Sequence, residues 1–178
     1  LSLSALVEKF LELHAEFHPV DATFMSLDGH DHRLPPADAG VIERERVALG
    51  QLLRAAEHLP RGTSSAERLE SRMLRAQLRL AMRELEERPR FYNPAWYTGE
   101  AAFGLISLLL PSDPPRLLDD LRQRLEAIPG FLASGQRWLA DRAIPADWTR
   151  RAQLECRAIV RLLEGGLRRH PLWSERLE

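Results

Sequence analysis

The 178-residue sequence holds a single cysteine, Cys156, and a single lysine, Lys9. One cysteine excludes an internal disulfide framework and any multi-cysteine zinc or iron–sulfur site. Val and Ile occur five times each and Thr four times, so β-branched residues, which favour strands, are scarce. No apolar run approaches the ~20 residues that a membrane-spanning helix needs. Neither sign of charge is in excess. Lys plus Arg total 25 against 26 for Asp plus Glu, which argues against a bulk nucleic-acid binder. There is no Gly-rich phosphate loop and no Gly-x-Ser-x-Gly elbow.

Leu, Ala, Arg and Glu together make up more than half of the chain. These residues keep rotamer freedom in a helix. The expected fold is all-α, an irregular array of about six to seven helices around a central apolar helix at about 94–110. At this length the chain forms its own core without a staple, and residues 1–178 read as one helical domain or segment with no internal boundary. The 24 arginines against one lysine read first as composition bias. The chain begins at Leu1, and Trp173 to Glu178 reads as the first turn of a further helix, so a segment of a longer protein is expected. No signal-peptide pattern is visible, which leaves the cytoplasm as the expected compartment unless a leader has been removed.

Apolar spacing predicts a first helix over Leu3–Phe17, ended by Pro19, and a short helical piece through Val20 to Met25. A polar loop, Asp28 to Arg33, follows. The second helix is expected at Ala37–Leu59 and the third at Ala66–Arg88, with Ser64 or Ser65 as N-cap. The third carries two apolar strips, Leu69, Met73, Ala76, Leu80 and Leu74, Leu78, Ala81, Leu85, which predicts a helix sandwiched between neighbours. Arg68, Arg72, Arg75, Arg79 and Arg83 form a further strip, read as a solvated face paired with Glu. Asn93 and Pro94 are placed as N-cap and N1 of the fourth helix, where Gly99 and Gly104 permit close approach. Asp113 caps the fifth, which Pro129-Gly130 breaks or kinks. The sixth runs from Trp148 to Arg169 with Ala152 and Cys156 in its apolar stripe, and Cys156 reads as an inert core residue.

His14 and His18 stand at i and i+4, a metal-ligand spacing. The glutamate of a zinc-protease helix would have to follow the first histidine directly, and Ala15 is there instead. His30 and His32 offer further weak metal candidates beside Asp31. Glu100, the one charged side chain between Phe91 and Ser112, is expected to be paired, protonated or at a helix rim. The structural reading is a buried ion pair with arginine, and the functional one a polar group lining a cleft.

Three stretches carry a family resemblance: Phe17 to Pro35, Tyr92-Asn93-Pro94 through Leu105, and Arg124 to Leu132. Together they resemble the N-terminal part of the bacterial domain-of-unknown-function family 885, whose members resemble zinc metallopeptidases. The resemblance implies a non-catalytic N-terminal region that forms one wall or roof of a substrate cleft. Zinc and a His-Glu-x-x-His helix would belong to a C-terminal part, so no cofactor is expected in this chain. His30, Asp31, His32, Arg33, Tyr97 and Glu100 are the expected cleft-lining residues. The expected partner is the C-terminal part of the same polypeptide or a homo-oligomer mate, with no nucleic acid and no membrane. Two other readings stand beside this one: a stand-alone helical interaction module, and a small metal-binding bundle using His14, His18, His30 and His32.

Overall fold

A computed structural model describes residues 2–60, 64–87, 90–111 and 118–170. Among them are seven α-helices and no strand. The helices are α1 (Leu3–Phe17), α2 (Pro19–Phe24), α3 (Val41–Glu57), α4 (Ser65–Glu87), α5 (Pro94–Leu109), α6 (Leu118–Leu139) and α7 (Ala146–Arg161). The all-α expectation holds, and none of these helices is long and apolar enough to cross a membrane.

The chain sorts into two compact units, each built from two stretches of sequence. The first comprises Leu1–Phe17 and Asp38–Arg90, the second His18–Ala37 and Phe91–Glu178. Because each is discontinuous, no shift in composition along the sequence marks a boundary between them.

In the first unit α3 packs against both α1 and α4. The core is Leu6, Leu49, Ala56, Leu74, Leu78 and Leu85. Helix α4 starts on a reciprocal cap. The Ser64 hydroxyl accepts from Glu67 N at 3.1 Å, and the Glu67 carboxylate accepts from Ser64 N at 3.1 Å. This capping box pairs amides that a helix start otherwise leaves open. Of the two apolar strips on α4, Leu74, Leu78 and Leu85 are buried, while Leu69, Met73 and Leu80 are 56%, 62% and 51% exposed. The sandwich expectation is therefore corrected: α4 is covered on one side only. A buried ion pair joins Arg90 to Glu45 of α3 at 2.5 Å, with side-chain exposures of 18% and 5%.

In the second unit α5 packs against α2, α6 and α7. Its start is as the sequence implies: the Asn93 side chain accepts from Ala95 N at 3.0 Å, with Pro94 in the first turn. Its surface carries only one charged side chain, Glu100, which lets neighbours cover it on several sides. One core comprises Leu105, Leu108, Leu121 and Leu167. A second is aromatic: Trp96 sits edge-on to Phe91, Tyr97 and Phe131, and Phe91 stacks on Trp138 at 5.3 Å. The Tyr97 hydroxyl donates to the Phe91 carbonyl at 3.1 Å.

Helix α6 runs unbroken through Pro129. Of the expected break or kink, the break does not occur: Leu121, Arg124, Phe131 and Gly135 on either side of Pro129 are buried on one face, and tertiary packing outweighs one missing amide. The N-cap expected at Asp113 lies outside the described residues. Beyond Arg161 the last helix loosens into a π-helical turn, Leu162–Gly166, then a 3-10 turn, Leu167–Arg169. The Gly165-Gly166 pair, poor in helix propensity, sits at that change of pitch. Cys156 is exposed rather than in the core, and of the expected stripe only Ala152 is buried in α7.

Candidate functional site

The one fully buried charged side chain described in the second unit is Arg124, at 0% exposure. It sits on α6 in register with Leu121 and Phe131, at spacings of three and seven, so helical geometry turns it inward. One guanidinium nitrogen donates to the Gly104 carbonyl at 2.7 Å and to the Ser107 hydroxyl at 3.0 Å. The other donates to the Thr23 hydroxyl at 2.6 Å and to the Pro19 and His30 carbonyls, each at 3.3 Å. Thr23 in turn donates to the Asp31 carboxylate at 2.8 Å. A guanidinium suits this position because its planar fork reaches several acceptors at once and never loses its proton.

Gly104 makes the approach possible. A Cβ there would lie 3.0 Å from Leu34 and 3.5 Å from Val20. Gly99 differs: a Cβ would meet only the Glu155 carboxylate, at 4.0 Å. Glu155 of α7 instead takes the Thr98 hydroxyl and the Arg151 guanidinium.

The loop after α2 is thus fixed from below. Its start is a Schellman turn. Ser26, at φ 57°, donates its amide to the Thr23 carbonyl, and Leu27 donates to Ala22. Within it Asp31, His30 and Arg33 are half-buried, and His32 is exposed. Its far end is held where Trp138 Nε1 donates to the Ala37 carbonyl at 2.8 Å. Arg142 lies 3.7 Å above the Tyr92 ring, a cation–π contact near this second anchor.

Of the six expected cleft residues, the structure ties His30 and Asp31 to the Arg124 node and leaves His32 at the surface. Tyr97 is buried at 2%, its ring against Gly135, where a Cβ would lie 2.7 Å away. It belongs to the aromatic core. Glu100 is half-buried in the second turn of α5.

The histidine metal candidates are not assembled. Helix α1 ends at Phe17, and His18 has left it, with φ −130° and ψ 58°. His18 is thus the first residue past the end of α1. His14 remains on α1, half-buried beside Phe10. Among the described residues no three His, Cys, Asp or Glu side chains are grouped to hold a metal ion.

In the first unit the arginine strip of α4 behaves as a solvated face. Arg79 pairs with Glu57 at 2.7 Å, Arg83 with Glu87 at 2.9 Å, and Arg75 donates to the Ala56 carbonyl at 3.4 Å. On the surface of this unit, Asp38 is held below the ordinary carboxylate range. A hydrogen bond from the Arg44 guanidinium holds its pKa down at about 2. Arg46 lowers Glu43 in the same manner. Both are exposed surface pairs, and neither marks a reactive group.

Sequence reasoning missed both buried ionic residues, Arg124 and Glu45. A signal existed in each case. Glu45 stands four residues from Val41 and four from Leu49, inside the buried stripe of α3. A charged residue in an apolar stripe requires a built partner. Compared with protein-family models, curated proteins and solved structures, the chain shows no match.

Proposed function

We propose that this chain is the non-catalytic N-terminal helical region of a zinc-metallopeptidase-like bacterial protein. On this reading it supplies one wall of a substrate cleft. The observation that supports it is where the resembling stretches meet. Pro19, Thr23, His30 and Asp31 come from the first stretch, Gly104 from the second and Arg124 from the third, and all join in one hydrogen-bonded node. A loop held this way is preorganised, which is what a recognition surface needs. His32 and Arg33 are its side chains for contacting a peptide carboxylate or carbonyl. Tyr97 is assigned to the core and not to the cleft.

The test compares this chain with the product of the complete native reading frame. Zinc is measured by elemental analysis, and cleavage with a quenched fluorogenic peptide library. The expected result is stoichiometric zinc and chelator-sensitive cleavage by the long protein, and neither by this chain. A complete reading frame without a His-Glu-x-x-His helix overturns the proposal, as does cleavage by this chain alone. A stand-alone interaction module is the second reading, favoured by the exposed Leu69, Met73 and Leu80 strip.

A further inference from the structure

The first unit has an uncovered seam. Helices α1 and α4 both lie on α3 but touch each other only briefly. Between them runs an open groove of about 1030 Å³. Its floor is apolar, formed by Val7, Phe10 and Leu11 from α1 and Met73 and Leu74 from α4. Among the described residues that line it, the charged ones are of one sign, Glu8, Glu67 and Glu70, with no arginine or lysine. That is notable in a chain with 24 arginines.

The groove between the outer pair of this three-helix unit is open to a further helix. The α4 side of the groove runs from Glu67 to Gln77, a length of about 15 Å at 1.5 Å per residue. About three helical turns fit there, with apolar anchors at i, i+3 or i+4, and i+7. We propose that this groove seats an amphipathic helix of a partner protein, whose apolar face is flanked by Lys or Arg. The apolar floor supplies affinity through buried area. The glutamates select the sign of the flanks and speed encounter. The proposal does not depend on the metallopeptidase reading, which concerns residues of the other unit.

The test uses two synthetic 18-residue helical peptides with one leucine pattern, flanked by lysine in one and glutamate in the other. Binding to the full chain is read by fluorescence anisotropy at low and high salt. The lysine peptide should bind saturably, at least about tenfold tighter than the glutamate peptide, and weaken with salt. Glu8→Lys combined with Glu70→Lys should reverse the preference. Met73→Asp should abolish binding while leaving the circular dichroism and Tm unchanged, because Met73 is exposed. Equal affinity for the two peptides, no saturation, or binding untouched by Met73→Asp overturns the proposal. So does sedimentation of the chain alone as a dimer that Met73→Asp splits, since a second copy would then occupy the groove.

Discussion

Removing the Arg124 side chain leaves the Gly104 and His30 carbonyls and the Thr23 and Ser107 hydroxyls short of a donor in a site closed to water. Arg124→Met should therefore cost about 3–5 kcal/mol in urea unfolding, the range for breaking a buried charged network from one side. Arg124→Lys should recover only part of this, because an ammonium cannot reach both sets of acceptors in one plane. Asp38 illustrates the opposite case of a strong hydrogen bond in solvent. Its folded pKa of about 2 lies below the ordinary 3.8. Its contribution to stability is thus complete above pH 3.8 and is lost as pH falls toward 2. Exposure limits that contribution to less than about 1 kcal/mol. Carboxyl chemical shifts followed by NMR should place the Asp38 midpoint near 2, and Arg44→Gln should return it toward 3.8.

At the scale of the element, α4 separates what periodicity says from what it leaves open. Both strips recur at helical spacing, and nothing in the residue types tells a covered strip from a bare one. Leu69→Lys should change stability by no more than about 0.5 kcal/mol, as for other surface sites. A loss of several kcal/mol in thermal unfolding would mean the strip is covered. The two halves of α6 are joined through Pro129 by packing, and at Gly135 the Tyr97 ring of α5 lies against α6. Gly135→Ala would drive a methyl into the Tyr97 ring and should cost about 1–3 kcal/mol, with loss of near-UV circular dichroism from the aromatic cluster. Gly99→Ala, with only a carboxylate 4.0 Å away, should cost nothing and could raise Tm through helix propensity. Capping is the most legible level. Asn93-Pro94 and Ser64-x-x-Glu67 each satisfy their helix start through bonds that run within four residues, so the sequence contains the whole interaction.

For the molecule as a whole, each of the two compact units has apolar packing of its own. Leu78 is fully buried in the first unit and Leu105 in the second. Leu78→Ala and Leu105→Ala should each cost about 2–5 kcal/mol. Amide exchange should show Leu78→Ala lowering protection first in α1, α3 and α4, and Leu105→Ala first in α5 and α6. Simultaneous loss of protection in all helices for either variant would show that the two units open as one.

The sequence by itself determined the helical class, the stretch that forms α1, the cap of α5 and, to within one residue, that of α4, and most of the buried stripes. All of these depend on local propensity, periodicity and short-range hydrogen bonds. Tertiary structure decided the rest. It left one strip of α4 bare, exposed Cys156 and drew Tyr97 into the aromatic core. It also gathered three distant stretches onto Arg124, with partners 17 to 105 residues away in sequence. Which neighbour covers a face, and which acceptors meet a buried charge, depends on contacts between elements, and single-chain periodicity carries no record of them.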